Sequence, residues 1–538
     1  MQAQLEVQKL DNDLYLILLQ IKGDTSYDKV GFSITRKENS LQNLTAISFS
    51  NSLVEGSSFK KSDVFLKFLK QNDYIKLKHL ELELYEDLQD NDTDYVKGFC
   101  ELIASKQDSL RSIQLGIDSA YQTQFILPFL ERLPLISPKL KKLGLRFLSL
   151  QKENPLQNIQ SLGFLNLISL DVSYSLVTLP LIYKITQRLR NLRHLLLLES
   201  IYSQEEIDSE MNENKYLQTF ALTFASQKGL ENDKKIIGLM QFIQTLTNLN
   251  TFQIDFKEIF QDELDALQGN VSNLKLSMKS NDMYFLDKIS RLEKLKTLEL
   301  NVNAQKYTQD IVEKNIDKQH QLEMLKLRIQ SSRSSHDIQN GIQQVLIIFQ
   351  NLKALLLYEI NLMCQESISL IAEYISRSNK LEQLRVRQCP ITEEDFVRLQ
   401  QAIVDSKTIK DYEFMQGNYS HSNLLNLNEY EELPQLISPH LKYIRLSVLY
   451  FSTTQLLQIL GQVKQGYQLR QIQIERIKFQ TEEQQQFAES LIEILKSDDL
   501  QGLRGVIINI SIVGAIDQLK KHFENVRFNN LIEFQLSL

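Results

Sequence analysis

The amino-acid sequence predicts an α/β solenoid, with short parallel strands on a concave face and helices on a convex one. Three observations carry that prediction. The apolar phrase L-x-x-L-x-L, with Ile, Val, Phe or Tyr allowed for Leu, recurs about every 29 residues from Leu44 onward. Inside each phrase the fourth and sixth positions are apolar and alternate with mostly polar residues, as Leu298 and Leu300 do with Thr297 and Glu299, which is the pattern of a strand with one buried face. Several phrases are followed by apolar residues at helical spacing behind a capping signal: Thr392 precedes Phe396, Leu399 and Ile403, and Thr481 precedes Phe487, Leu491 and Ile494. A helix is about twice as wide as the spacing between strands, so stacking such units curves them into a horseshoe.

Taken in order, residues 1–43 are read as an N-terminal cap over the open edge of the first repeat. Leu14, Ile17 and Leu19 offer the alternative of one further degenerate repeat. Residues 44–538 are read as the solenoid, with phrases starting at Leu44, Leu77, Leu110, Leu140, Leu167, Leu192, Leu217, Leu249, Val271, Leu295, Leu322, Leu352, Leu381, Ile409, Leu441, Leu469, Leu503 and Leu531, about 18 repeats in all. Ile368, Ile371 and Ile375 mark a helix between two of them. The polar segments 199–215 and 416–432 are read as enlarged surface loops. Two stretches share L-I-S-P-x-L-K ahead of a strand, from Leu133 and from Leu433, so Pro138 and Pro439 are expected to stop the element before them.

With strand, turn and helix in this order, the chain resembles the leucine-rich-repeat superfamily, in particular its ribonuclease-inhibitor-like and cysteine-containing classes. The segment LEQLRVRQCPITEEDFVRLQQAI matches best: Leu381, Leu384 and Val386 fit the strand and Cys389 the buried Asn/Cys position of the turn. That position is held by Asn303 in one other repeat, but by Ser175, Ser200, Ser511, Lys257, Lys279, Leu148 and Ile360 elsewhere, so irregular turns are expected. The resemblance implies a surface for binding another protein.

Composition narrows the function classes. Sixty basic against 67 acidic residues leave a formal charge of -7, which gives no general attraction for nucleic acid. The N-terminus places Glu6, Asp11 and Asp13 where a secretory leader carries basic residues, and no apolar run approaches the ~18 residues of a membrane span, so a soluble, cytoplasmic protein without membrane insertion is expected. Cys100, Cys364 and Cys389 are isolated, which suits a reducing compartment. Seven scattered histidines make no metal-ligand spacing, and no phosphate loop or nucleophile elbow is present, so neither catalysis, cofactor nor metal is expected.

The exposed residues of each phrase are its third, fifth and seventh. On neighbouring strands these place Met324, Lys326 and Arg328, then Leu356 and Tyr358, then Arg385 and Arg387, then Asp411 and Glu413, then Tyr443 and Arg445 on one surface. Arginine mixed with tyrosine, methionine and leucine has the composition of an interface core. Met324, Lys326, Arg328, Leu356, Tyr358, Arg385, Arg387, Tyr443 and Arg445 are therefore the candidate partner-binding residues. Arg385 and Arg387 are expected to point to solvent, and an acidic surface on the partner would suit them. His194, Leu196 and Leu198 form a secondary candidate patch. The functional expectation is a non-enzymatic scaffold or adaptor, a subunit of a larger assembly. The resemblance also admits a small-GTPase regulator like the Ran GTPase-activating protein, although no particular residue carries that activity over, and a ubiquitin-ligase substrate receptor without a recognisable F-box.

Overall fold

A computed structural model describes residues 3–11, 14–22, 27–35, 46–50, 77–84, 93–117, 122–146, 166–203, 211–224, 234–256, 271–278, 286, 289, 292–304, 321–331, 335–363, 365–416, 435–464, 467–478, 484–497, 503–511 and 533–537. Every one of the eighteen phrases carries a strand, and each strand begins at the third residue, from Ala46–Ser50 to Glu533–Ser537. The chain divides into two compact units, Met1–Asp255 with Ala266–Asn270, and Phe256–Asp265 with Val271–Leu538.

In the first unit the repeat strands pair in parallel, third residue to third residue: Ala46 with His79, then Ser112, Lys142, Ser169, His194, Thr219 and Thr251. Ahead of them, Ala3–Asp11, Leu14–Lys22 and Tyr27–Thr35 form an antiparallel meander whose last strand pairs with Ala46–Ser50. The Leu14 phrase is thus antiparallel to both neighbours, unlike the repeat strands.

The second unit continues the same rule from Asn273 to Thr297, Met324, Ala354, Gln383, Asp411, Tyr443, Gln471, Gly505 and Glu533. The reason is the phrase itself. Its first, fourth and sixth residues all face inward, so a slip of one residue would drive leucines into solvent. Leu322, Leu325, Leu327, Leu381, Leu384 and Val386 are all buried. The carbonyl of the second residue anchors the next strand by accepting two amides, as Glu382 O does from Lys410 N at 2.8 Å and Asp411 N at 3.0 Å.

Helices close the other side of the core. Glu393–Asp405 starts where expected: Thr392 Oγ1 accepts from Asp395 N at 3.2 Å, and Phe396, Leu399 and Ile403 are buried. Phe396 meets Phe414 of the following strand edge to face at 4.9 Å. Gln365–Arg377 buries Ile368, Ile371 and Ile375. Gln484–Lys496 buries Phe487 and Leu491, while Ile494 is half-buried and Leu495 takes the inner place; Thr481 lies outside the described residues. A further capping box, Ser452 with Gln455, starts Thr453–Gly461. At the two L-I-S-P turns Leu140 N donates to Ser137 O at 3.1 Å and Leu441 N to Ser438 O at 3.3 Å, the same closure in each unit. No described helix is long and apolar enough to cross a membrane.

The turns after the strands vary, as expected: at Val302 and Ile329 the strand runs on through the eighth position, while four turns share one form. Tyr174, Glu199, Glu359 and Gln388, the eighth residues of their phrases, all have positive φ, between 48 and 58°. For residues other than glycine this left-handed conformation costs on the order of 1 kcal/mol. Its effect is to turn the ninth residue inward, and Ser175, Ser200, Ile360 and Cys389 are all buried. The ninth side chain then donates to the carbonyl two residues back: Cys389 Sγ to Arg387 O at 3.3 Å, Ser200 Oγ to Leu198 O at 3.3 Å and Ser175 Oγ to Ser173 O at 3.2 Å. It also accepts the ninth amide of the preceding repeat, Ile360 N to Cys389 Sγ at 3.4 Å and Ser175 N to Ser200 Oγ at 3.5 Å. A serine hydroxyl is donor and acceptor at once, so it replaces Cys here without disturbing the turn. Leu148, Lys257 and Lys279, and the side chains of Asn303 and Ser511, lie outside the described residues.

The polar segment 199–215 is only partly a loop. Strand His194–Ser203 extends into it and pairs with the short strand Leu176–Thr178. At its far end Asn214 is buried, with Oδ1 accepting from Leu217 N at 3.0 Å. Of segment 416–432, only Gln416 is described, and it is buried.

Candidate functional site

All nine primary candidate residues lie on the strand face of the second unit opposite its buried leucines. The pairing Lys326↔Leu356, Leu356↔Arg385, Arg385↔Glu413 and Glu413↔Arg445 puts the fifth residues of successive phrases side by side. Met324 and Tyr443, 36% and 42% exposed, are the outer apolar members, and Leu356 and Tyr358 are half-buried between them.

The cations on this face are tied to carboxylates. Lys326 Nζ donates to Glu299 Oε1 at 2.9 Å, and Lys275 Nζ reaches the same oxygen at 3.1 Å from the other side. Arg328 pairs with Glu359. The Tyr358 ring lies 5.5 Å from Lys326 Nζ and 5.6 Å from the Arg328 guanidinium, so one aromatic face serves two cations. Further along, Arg387 Nη2 donates to Glu413 Oε2 at 2.7 Å, Arg385 Nε lies 3.5 Å from that oxygen, and Arg445 Nη1 lies 3.6 Å from Oε1. Asp411 Oδ2 accepts from Gln383 Nε2 at 2.6 Å and from Arg385 Nη2 at 3.4 Å.

This corrects one expectation. Glu413, read as a solvent-facing residue, has a side chain only 6% exposed, and Arg385 and Arg387 lean over it with 33% and 38% of their side chains exposed. Ala354 and Ser447, also on the outward positions of their strands, are buried. The physical cause is crowding by long neighbours: guanidinium groups on both flanking strands cover the shorter carboxylate between them. Reversing Arg385 and Arg387 to glutamate would therefore put four carboxylates together, with Asp411 and Glu413, and disturb the fold. The in-register alternation of charge across strands, by which Asp411 and Glu413 can neutralise the arginines, is the signal in the sequence for this hub; the burial of Glu413 is not in that signal.

The secondary patch belongs to the first unit. His194, Leu196 and Leu198 are half-buried, and His194 Nδ1 lies 3.0 Å from Thr219 Oγ1. Burial, then Lys142 and Arg193, lowers the His194 pKa below its usual 6.5. Nearby, Asp171 Oδ2 accepts from Arg146 Nε and Nη2, both at 3.2 Å, and its Oδ1 accepts from Ser173 Oγ at 2.5 Å.

Among the described residues no group of three or more His, Cys, Asp or Glu could hold a metal ion. Burial pushes the Cys389 thiol up to about 12, which suits a turn residue and not a nucleophile.

Strand register and buried leucines define each unit as a stack of strand-and-helix repeats with its repeat strands in parallel, an α/β solenoid. The chain is similar to one in the crystal structure of a TLR13–ssRNA13 complex, with 14% identity, a TM-score of 0.39, and coverage of 86% of this chain and 71% of that one. No protein-family model and no curated protein matches the chain.

Proposed function

We propose that the protein is a scaffold or adaptor that binds another protein through the strand face of its second unit. The observation that carries this reading is the convergence of Met324, Lys326, Arg328, Leu356, Tyr358, Arg385, Arg387, Tyr443 and Arg445, drawn from four strands of one register, on a single face. Met324 and Tyr443 present apolar surface at its margins, Tyr358 and Leu356 fill its centre, and the arginines are held in place by Glu359, Asp411 and Glu413. Prior ordering of long side chains reduces the entropy lost when a partner binds.

The test uses the full chain with Met324→Asp and Tyr443→Asp together, since both residues are exposed and the fold should survive. Affinity capture of native partners should fail for this variant while circular dichroism stays unchanged. Equal recovery of every partner would exclude this face and move attention to His194, Leu196 and Leu198.

A further inference from the structure

The first unit carries a row of cations along the edge where its strands begin. The second residues of five successive phrases there are Lys78, Arg111, Lys141, Ile168 and Arg193. Backbone bonds set them side by side. Lys78 O accepts from Arg111 N at 2.8 Å, Arg111 O from Lys141 N at 2.8 Å, Lys141 O from Ile168 N at 2.7 Å and Ile168 O from Arg193 N at 2.8 Å. The row spans four strand steps, about 19 Å. Lys142 adds an exposed ammonium next to Lys141. No acid occupies the row, and among the described residues Lys78, Lys142 and Arg193 join no ion pair. Asp108 and Glu213 at the same edge are held by their own lysines, Lys139 at 2.7 Å and Lys215 at 3.3 Å. Partial burial, then Lys142 and Lys78, lowers the pKa of His79, as burial, Lys142 and Arg193 do for His194, so both histidines register the positive field of the row. Two large apolar side chains stand at this edge as well. Tyr216, directly before Leu217, is 58% exposed, its amide fixed by Asn214 Oδ1 at 2.9 Å. Leu135, in the last turn of helix Gln122–Ile136 ahead of Leu140, is 80% exposed. In the second unit the same position alternates in sign, Glu323 pairing with Lys353 at 3.1 Å and Glu382 with Lys410 at 2.7 Å, before Lys442, Arg470 and Arg504 follow.

We propose that this edge of the first unit rests on an anionic lipid surface, with its cations over acidic headgroups and Leu135 and Tyr216 entering the interface. Cations in line on an outer edge, with isolated apolar side chains beside them, suit a flat and diffuse anion. Long lysine and arginine stems and a tyrosine ring are at home at the boundary of headgroup and acyl chain, where one end of the side chain is wet and the rest is not. Single-stranded nucleic acid suits the edge less, because its bases are held on successive aromatic platforms and the second residues supply none. An acidic protein segment lying along the row would leave Leu135, out on the helix, uncovered. The formal charge of -7 for the whole chain does not oppose this contact, since attraction to a charged surface falls off within a Debye length and is decided locally.

The experiment is co-sedimentation of the full chain with vesicles of phosphatidylserine and phosphatidylcholine in equal amounts, set against vesicles of phosphatidylcholine alone. Binding should require phosphatidylserine. Lys78→Gln, Lys142→Gln and Arg193→Gln together should weaken it on the order of 100-fold, about fivefold for each charge. Lys442→Gln, Arg470→Gln and Arg504→Gln remove the same charge from the second unit and should leave binding within about twofold of the wild type. Circular dichroism should stay unchanged in both variants, as all six side chains lie at the surface. The chain contains no tryptophan, so Tyr216→Trp supplies a single fluorescent reporter. Its emission should move to shorter wavelength on phosphatidylserine vesicles and stay in place with polyglutamate or an oligouridylate. Failure to sediment with phosphatidylserine, equal losses in the two triple variants, or an unmoved tryptophan emission would overturn the proposal. So would tighter binding of polyglutamate or the oligouridylate through Lys78, Lys142 and Arg193.

Discussion

The two charged triads of the second unit follow one plan with different materials. Glu299 sits between two lysines and keeps 26% of its side chain exposed, whereas Glu413 sits among three arginines and keeps 6%. Lysine reaches a carboxylate as a flexible, hydrated point charge, so water stays at Glu299. Broad planar guanidinium groups on both flanking strands roof Glu413 over. The lesson is that the same alternation of charge across strands is a surface ornament in one place and a structural core element in the other. Burial of the carboxylate decides which.

The comparison can be broken first at its base. Leu325 stands beneath the lysine triad and Leu384 beneath the arginine triad, and both are wholly buried. Leu325→Asp and Leu384→Asp should each cost several kcal/mol, on the order of 4 or more, because a charge replaces a core side chain. Chemical denaturation should give similar losses, and unfolding curves matching the wild type would refute the register.

Above that common base the triads should diverge. Glu413→Ala leaves three guanidinium groups gathered round a hole. Complete burial would put the loss at about 3–5 kcal/mol, but the arginines remain partly hydrated, so about 2 kcal/mol is expected. Glu299→Ala removes a half-buried partner whose lysines stay in water, and should cost under about 1 kcal/mol. Equal losses would contradict the distinction drawn from burial. Raising sodium chloride from 0.05 to 0.5 M sharpens the contrast, erasing the cost of Glu299→Ala and leaving most of the cost of Glu413→Ala.

Cys389→Ala, just beyond the arginine triad, removes the acceptor of the Ile360 amide and should lose about 1–2 kcal/mol, while Cys389→Ser should recover most of it. The native thiol should resist maleimide until the protein unfolds. The smallest effect comes from a row with no carboxylate hub. The His194 pKa lies below 6.5 in the folded state, so between that lowered value and 6.5 the unfolded chain binds more protons and stability falls as pH drops. His194→Gln should flatten that slope in denaturation measured from pH 7 to 5.

Much of the fold was legible because each phrase states its own register. Leu381, Leu384 and Val386 sit at fixed spacing in every repeat, so one strand assignment carries to the next. Residues that make up the candidate face could be named for the same reason, yet their surroundings could not. Arg385 reads as solvent-facing along its own strand, and only the neighbour at Glu413 shows that it is half-covered. The left-handed residues were hidden because Tyr174, Glu199, Glu359 and Gln388 share no side-chain chemistry, and none is the glycine that usually marks such backbone. A period of two cannot tell parallel from antiparallel pairing either, which is why the Leu14 phrase looks like a repeat although Leu14–Lys22 runs against its neighbours.

The bond from one turn to the next has a direction. In each described case the donor amide belongs to the earlier repeat and the accepting sulfur or hydroxyl to the later one: Ile360 to Cys389, Ser175 to Ser200. Severing such a link strands the upstream amide, while the downstream side chain keeps its own carbonyl partner. The ninth-residue link is therefore polar along the chain, and losing it harms the earlier of the two turns more than the later.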